Sequence, residues 1–190
     1  MSFSDSTGRP PWVPPAPSTP SGPSAQGARA DEIKSLIRAG RMYDALGVNA
    51  LASGDEIRAI LEARWAAWSQ ARAVARGNGV LVLDEALEAL RFLGVALLNP
   101  SARRTVHLAF AQGTVPTATE FASPDADALR MGWVRLFPDA AAAANAHARA
   151  AMRAHDGKQP EEAARHAREA LALDPFNASL RGMAETWLRS

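Results

Sequence analysis

The chain contains no cysteine, one tyrosine and two lysines among its 190 residues. The lack of cysteine excludes disulfide scaffolds, cysteine-ligated zinc, iron–sulfur clusters and thiol nucleophiles. Glycine-rich phosphate loops and Gly-x-Ser-x-Gly elbows are also missing. Neither sign of charge is in excess, with 21 basic against 20 acidic residues spread evenly along the chain, so no nucleic-acid partner is predicted. No apolar run approaches the roughly 20 residues of a membrane span.

The remaining candidates for chemistry do not form a ligand or catalytic set in the sequence. Of the four histidines, His147 and His155 lie eight positions apart on a predicted helix and can share a face. No carboxylate lies between them at the same spacing to complete a metal site. The acidic residues are scattered as helix caps and surface partners rather than paired. We therefore expect no metal, no cofactor and no enzymatic activity.

The first 29 residues differ from the rest in composition. Seven of the 13 prolines lie between Pro10 and Pro23, interleaved with Ser, Gly and Ala. Because such a stretch cannot bury enough apolar surface to offset its chain entropy, residues 1–29 are predicted to be a disordered leader. Trp12, flanked by prolines, fits a polyproline recognition motif, although a solvated leader is the simpler interpretation. The stretch has neither the basic nor the apolar part of a secretory signal, so a cytoplasmic location is expected.

From residue 30 onward, apolar residues recur at helical spacing and no segment alternates like a strand. The predicted fold class is therefore all-α. Residues that cap helices mark the predicted starts, and Gly or an approaching Pro marks the predicted ends. The predicted starts are Asp31, Ser53 or Asp55, Ser123 and Asn177; the predicted ends are Gly40, Gly47, Asn99 and Phe137. The longest helices carry two apolar stripes: Ile57, Ile60, Leu61, Trp65 and Trp68, then Leu83, Ala86, Leu87, Leu90, Leu93 and Leu97.

Three short sequence elements follow one another in the first half of the chain. They are MYDALGV at residues 42–48, ASGDEIR at 52–58 and NPSARR at 99–104. Together they resemble the J-domain of the DnaJ co-chaperone family, over about residues 41–113. The resemblance implies a short helix, two long antiparallel helices and a short fourth helix. We accordingly predict a J-like helical domain over residues 30–113.

One element of that family is missing from this chain. The resemblance implies a His-Pro-Asp tripeptide after the second helix, which contacts a DnaK-type chaperone and stimulates its ATPase. No His-Pro-Asp occurs here, and Ser69-Gln70-Ala71 stands at the corresponding position. Loss of the stimulating activity is therefore expected. Predicted partner contacts at the hairpin tip and second helix are Arg58, Arg64, Trp65, Trp68, Ser69 and Gln70. The tryptophans are hairpin core or, where partly exposed, a docking anchor.

The second half of the chain carries a different resemblance. GKQPEEAA at residues 157–164 and DPFN at 174–177 flank small residues at 163, 167 and 170, which let two helices approach closely. This pattern is similar to one tetratricopeptide repeat over about residues 145–177, followed by a capping helix. The implied groove residues are Asn145, Met152, His155 and Asp156. We predict a linker over 114–123 and a repeat-like helical domain over 124–190.

Both resemblances favour a non-enzymatic protein–protein interaction module, an adaptor or scaffold whose partners are proteins. Two alternatives stay open. One is a divergent co-chaperone that recruits a DnaK-type chaperone through another surface. The other is a nucleic-acid binder that uses its arginines, which the even distribution of charge disfavours.

Overall fold

The computed structural model describes residues 23–111, 118–121 and 123–188. Within these ranges the protein forms ten α-helices and no β-strand, so the predicted all-α class is confirmed. The helices are α1 (Pro23–Arg38), α2 (Met42–Leu46), α3 (Gly54–Val74), α4 (Asn78–Leu98), α5 (Pro100–Ala109), α6 (Ala118–Phe121), α7 (Pro124–Leu136), α8 (Pro138–Asp156), α9 (Pro160–Leu173) and α10 (Ala178–Leu188). Across the described residues, none of these helices combines the length and the apolar character that crossing a membrane requires.

Three predicted helix starts are confirmed by hydrogen bonds from the backbone to a capping side chain. Ser53 Oγ accepts from the Glu56 amide at 3.2 Å, and Ser123 Oγ accepts from the Ala126 amide at 3.2 Å. Asn177 Oδ1 accepts from the Leu180 amide at 3.0 Å. Each bond satisfies one of the amides that a helix leaves without an internal partner. The chain's own capping residues therefore fix the starts of α3, α7 and α10.

The first helix begins earlier than the sequence predicts. Asp31 was expected to cap it, but α1 starts at Pro23 and Asp31 lies inside the helix. The predicted boundary of the leader at residue 29 is therefore wrong for residues 23–29, which are helical. The reason is that Ala, Gln and Arg in this stretch favour a helix, and the buried Ala30 and Ile33 give it a surface to pack on. Residues 1–22, with the Trp12 motif, lie outside the described residues.

Helices α3 and α4 form an antiparallel hairpin. Arg72 near the end of α3 pairs with Asp84 in the first half of α4, and in the middle of the hairpin the Arg91 guanidinium lies 5.5 Å from the ring of Trp65. The inner face of α4 is buried along its whole length. Its buried residues are Leu83, Ala86, Leu87, Ala89, Leu90, Phe92, Leu93, Ala96 and Leu97. All six members of the predicted α4 stripe are among them, because period 3.6 fixes which residues share a face.

Trp133 on α7 joins the two halves of the protein. It is 1% exposed, and its ring contacts those of Phe92 and Phe110 from the first half and Phe176 from the second. Its indole N–H donates to the carbonyl of Leu173 at 2.9 Å. One hydrophobic cluster therefore continues from α1 to Phe176. It crosses the predicted boundary at 114–123, so the division into two domains stays a prediction.

The segment predicted to be a linker contains a packed helix. Phe121 in α6 is fully buried, and the Arg181 guanidinium of α10 lies 4.4 Å from its ring. Arg181 Nη2 also donates to the carbonyl of Pro175 at 2.8 Å. Burial lowers the pKa of Arg181 to about 10, which leaves it charged at neutral pH. This cation–π contact attaches α6 to the carboxyl-terminal helix.

Helices α8 and α9 form a second hairpin, and alanines fill its interface. The buried alanines are Ala140, Ala141, Ala144, Ala151 and Ala154 on α8 and Ala163, Ala167 and Ala170 on α9. Small side chains allow two helix backbones to approach closely. Three of these alanines, Ala151, Ala167 and Ala170, also belong to a smaller hydrophobic cluster with Leu171 of α9 and with Leu180, Ala184 and Trp187 of α10.

Candidate functional site

An apolar groove lies on the outer side of the α3–α4 hairpin. It has a volume of about 300 Å³ and is lined by Leu61, Glu62, Trp65, Leu90, Gly94 and Leu98, and we call it the Trp65 groove. Trp65, at the edge of the groove, is 38% exposed. Among the lining residues, Glu62 alone is charged. A large aromatic side chain at the rim of an apolar depression is typical of a protein-binding surface.

Local sequence explains why the groove exists. Trp68 is one turn further along α3 and turns inward, where it is 6% exposed, while Trp65 stays at the edge. Gly94 on α4 has no side chain, and a Cβ there would lie 3.8 Å from Leu61 Cδ1. A larger residue at this position would therefore fill the floor. Arg91 lies against one face of the Trp65 ring and supports it by a cation–π contact.

The structure corrects where these residues lie in the hairpin. The J-domain resemblance placed the inter-helix loop at Ser69-Gln70-Ala71, but α3 continues to Val74 and the loop is residues 75–77. Ser69 and Gln70 are therefore helical. Trp65 and Trp68 lie along the side of α3 and not at its tip, because the long run of helix-forming Ala, Gln and Arg continues until Gly77. Trp65 still meets the condition of partial exposure on which its docking role depended.

The two arginines predicted as partner contacts on α3, Arg58 and Arg64, both contact the protein itself. Arg58 pairs with Asp55 at 3.5 Å, and Arg64 Nη1 donates to the Ala45 carbonyl at 3.3 Å. Arg72 Nη2 donates to Asp84 Oδ2 at 3.1 Å. The hydrogen bond from Arg72 lowers the pKa of Asp84 below its ordinary value, and the same bond raises the pKa of Arg72. Arg64 therefore holds α3 to α2, whereas the Arg58 pair lies within α3 and is exposed.

The predicted groove residues of the second half are exposed but do not all share one face. Asn145, Met152 and Asp156 lie seven and four residues apart on α8, so they form one exposed stripe. We call it the α8 stripe. His155 points elsewhere: its ring lies 5.8 Å from that of Trp187 on α10. Of the four predicted residues, three form a surface and the fourth packs against the final helix.

A cluster that the sequence analysis did not predict lies across the α8–α9 hairpin. His147 Nδ1 on α8 is 3.1 Å from His166 Nδ1 and 2.9 Å from Glu169 Oε2 on α9. His166 Nδ1 is 3.3 Å from the same carboxylate oxygen. Desolvation raises the pKa of Glu169, but Arg165 and the two histidines outweigh it and hold that pKa below its ordinary value. We call these three residues the His147 cluster.

The sequence contained a signal for this cluster. His166 and Glu169 are spaced i, i+3 on a helix, and His147 lies as far before Lys158 in the hairpin turn as Glu169 lies after it. In an antiparallel hairpin, residues equally distant from the turn face each other. A comparison within one helix pairs His147 with His155 instead. Pairing across the turn would have found the acidic partner.

A larger cavity of about 650 Å³ opens between α1, α4 and the junction of α7 and α8. Its charged lining is largely paired internally: Lys34 Nζ lies 2.7 Å from Glu85 Oε2, and Arg135 Nη1 lies 3.5 Å from Glu88 Oε1. Such pairs hold neighbouring helices at the surface. We therefore assign this cavity a structural role.

No protein-family model matches the chain, and neither the curated proteins nor the solved structures contain a significant match.

Proposed function

We propose that this protein is a non-enzymatic interaction module that binds a short amphipathic helix of a protein partner in the Trp65 groove. The observation that carries the proposal is the partly exposed Trp65 beside an apolar floor. Tryptophan is enriched among the few residues that supply most of the energy at protein interfaces. A groove between two antiparallel helices suits an apolar helix face with anchors at i, i+3 or i+4.

The charges around the groove support an apolar rather than a strongly charged partner. Glu62 and Arg91 lie at the rim with opposite signs, and Arg91 already pairs with Glu88. The rim therefore offers no excess charge of one sign to attract a nucleic acid or a highly acidic peptide. Burial of the exposed parts of Trp65 and Leu98 is the main favourable term available, because Leu61 and Leu90 are already buried in the free protein.

An adaptor also needs a second surface, and we propose the α8 stripe for that role. Met152 lies at the centre of this stripe and is 47% exposed, with Asn145 and Asp156 one or two turns away. Methionine adapts its shape to different apolar partners. The two surfaces lie on different hairpins, so one partner does not need to displace the other.

A peptide-display selection tests the groove directly. A library of helical peptides is selected on the full-length protein, and the winners are mapped by amide chemical shifts. We expect winners with apolar pairs at i, i+4 that perturb Leu61, Trp65 and Gly94, and at least tenfold weaker binding to Trp65→Ala. Met131→Ala is the matched control, because Met131 is an exposed apolar residue on α7 outside the groove. Winners that bind Trp65→Ala unchanged contradict the proposal.

The co-chaperone alternative has one observation in its favour. Helices α2 to α5 follow in the order short, long, long, short, as the J-domain resemblance implies. The loop between the long helices is Ala75-Arg76-Gly77, so it also lacks His-Pro-Asp. Stimulation of a DnaK-type ATPase that is lost in Arg76→Ala would support this alternative. No stimulation, together with peptide binding in the groove, supports the adaptor.

A further inference from the structure

We propose that the His147 cluster is a binding site for a late first-row divalent metal ion, zinc in the first instance. His147, His166 and Glu169 supply two imidazole nitrogens and one carboxylate oxygen from two facing helices. Two histidines and one carboxylate are a ligand set that zinc uses in proteins, with one further position left for water or another ligand. The proposal concerns a different hairpin from the Trp65 groove and does not depend on it.

The distances within the cluster fit a single ion. Zinc binds nitrogen and oxygen at about 2.0–2.2 Å in tetrahedral geometry, which places neighbouring ligand atoms roughly 3.3–3.5 Å apart. The three ligand atoms here are separated by 2.9, 3.1 and 3.3 Å. Outward movement of a few tenths of an ångström would therefore complete the geometry. Side chains that are 19–39% exposed leave a path for the ion to enter.

The carboxylate oxygen provides a second, independent observation. Glu169 Oε2 is buried, and it accepts no hydrogen bond from any of the described residues although two ring nitrogens lie within 3.3 Å. A buried acceptor without a donor is costly. A metal ion at the centre of the triangle would satisfy this oxygen and, once both imidazoles carry their proton on Nε2, both Nδ1 lone pairs. Either a bound metal ion or a proton on one histidine supplies a positive charge beside this oxygen, and these two cases give opposite experimental results.

The fold holds the three side chains together before any ion binds. Alanines at the α8–α9 interface bring the helix axes close, with Ala151 and Ala167 fully buried. Arg165 fixes the orientation of the Glu169 carboxylate, because its Nη1 donates a hydrogen bond at 3.1 Å to Oε1, the carboxylate oxygen that does not face the histidines. Such an outer contact fixes a ligating carboxylate and is a recurrent feature of metal sites.

One contact must change when a metal ion binds. Arg165 Nη2 lies 3.1 Å from His166 Nε2, where a lone pair accepts the guanidinium proton. Coordination through Nδ1 of a neutral imidazole requires the proton on Nε2, so Arg165 must turn away. Glu162 lies 3.3 Å from the same Nη2 and provides an alternative partner. Arg165 therefore competes with the metal for His166.

Cobalt(II) titration of the full-length, untagged protein tests the site. We expect one equivalent of Co²⁺ to give the intense visible absorption of four-coordinate cobalt, which zinc then displaces. We also expect zinc to raise the midpoint of thermal unfolding, because an ion that binds only the folded state stabilises it. His147→Gln and Glu169→Gln should lose both signals. His155→Gln and His107→Gln are the matched controls and should keep them.

Two results would overturn the proposal. Absence of the cobalt spectrum and of the thermal shift at millimolar zinc would show that the cluster holds a proton only. Signals that persist in His147→Gln and Glu169→Gln would place the metal elsewhere. Circular dichroism of each variant confirms that the helices remain formed.

Discussion

The two helical hairpins of this protein are held together by side chains of different size. Leucines and tryptophan fill the α3–α4 interface, whereas alanines fill the α8–α9 interface. Large side chains keep the helices apart and leave an apolar groove at the edge, with Trp65 beside it. Alanines bring the backbones together, so polar side chains from opposite helices meet in the His147 cluster. The size of the interface residue therefore decides which kind of surface each hairpin presents.

The largest expected effect comes from the residue that connects the two hairpins. Trp133→Ala removes a ring packed against Phe92, Phe110 and Phe176 and leaves the Leu173 carbonyl without its donor. We expect the free energy of unfolding in urea to fall by about 3–5 kcal/mol. Trp65→Ala is the control and should lose much less, since its ring is partly exposed. Equal losses would show that Trp133 does not connect the two halves.

The second prediction concerns the hairpin with large side chains. Leu93 on α4 is fully buried, so Leu93→Ala should lower the free energy of unfolding by about 2–5 kcal/mol through the cavity that it leaves. Leu81→Ala changes the same residue type on the exposed side of the same helix. That control should change stability by less than about 0.5 kcal/mol. A small effect of Leu93→Ala would mean that this interface is not closely packed.

The third prediction applies the opposite change to the hairpin with small side chains. Ala167 is fully buried, so Ala167→Leu adds volume where none is free and should cost about 1–3 kcal/mol. It should also push α8 away from α9, which would weaken metal binding at the His147 cluster. Ala172→Leu on the exposed side of α9 is the control. Unchanged stability in Ala167→Leu would contradict close approach of the two helices.

The smallest expected effect is electrostatic and depends on pH. Arg72 lowers the folded-state pKa of Asp84 below the unfolded value of 3.8, so this pair contributes stability above that value and loses it as the pH falls through the folded pKa. Asp84→Asn should therefore be slightly less stable than the parent at neutral pH, and the two should converge in strong acid. The free energies of unfolding of both proteins, measured by urea titration at neutral pH and in strong acid, check this prediction.

A double-mutant cycle isolates the pair from other effects of the substitution. Asp84→Asn in an Arg72→Gln background should cause no further loss at neutral pH, because the partner is already gone. A full additional loss would show that Asp84 acts through other contacts. Both residues are exposed, so high salt should reduce the effect in the parent.

Much of the local structure could be predicted because it depends on neighbouring residues. Ser53, Ser123 and Asn177 cap helices through contacts within three residues, and the α4 stripe follows from helical period alone. The start of α1 could not be predicted in this way. Ala, Gln and Arg favour a helix there, but the helix also depends on burial of Ala30 and Ile33 against other helices, which local propensity does not reveal.

The candidate sites depended on longer-range packing to different degrees. Trp65 was identified from its spacing, but its place beside Gly94 and Arg91 follows from the register of α3 against α4. The His147 cluster depends on two helices meeting across a turn, which the residue pattern within a single helix does not reveal.

The amino-acid sequence by itself determined that this protein is helical, where most of its helices begin and end, and which residues face inward on α4. These properties arise from capping bonds and a fixed period, both of which act over a few residues. Only the tertiary structure decided that Phe121 is buried within a predicted linker, that Trp133 joins the two halves, and that His147 meets His166 and Glu169. Those outcomes depend on how closely distant helices approach, which the volumes of the side chains between them control.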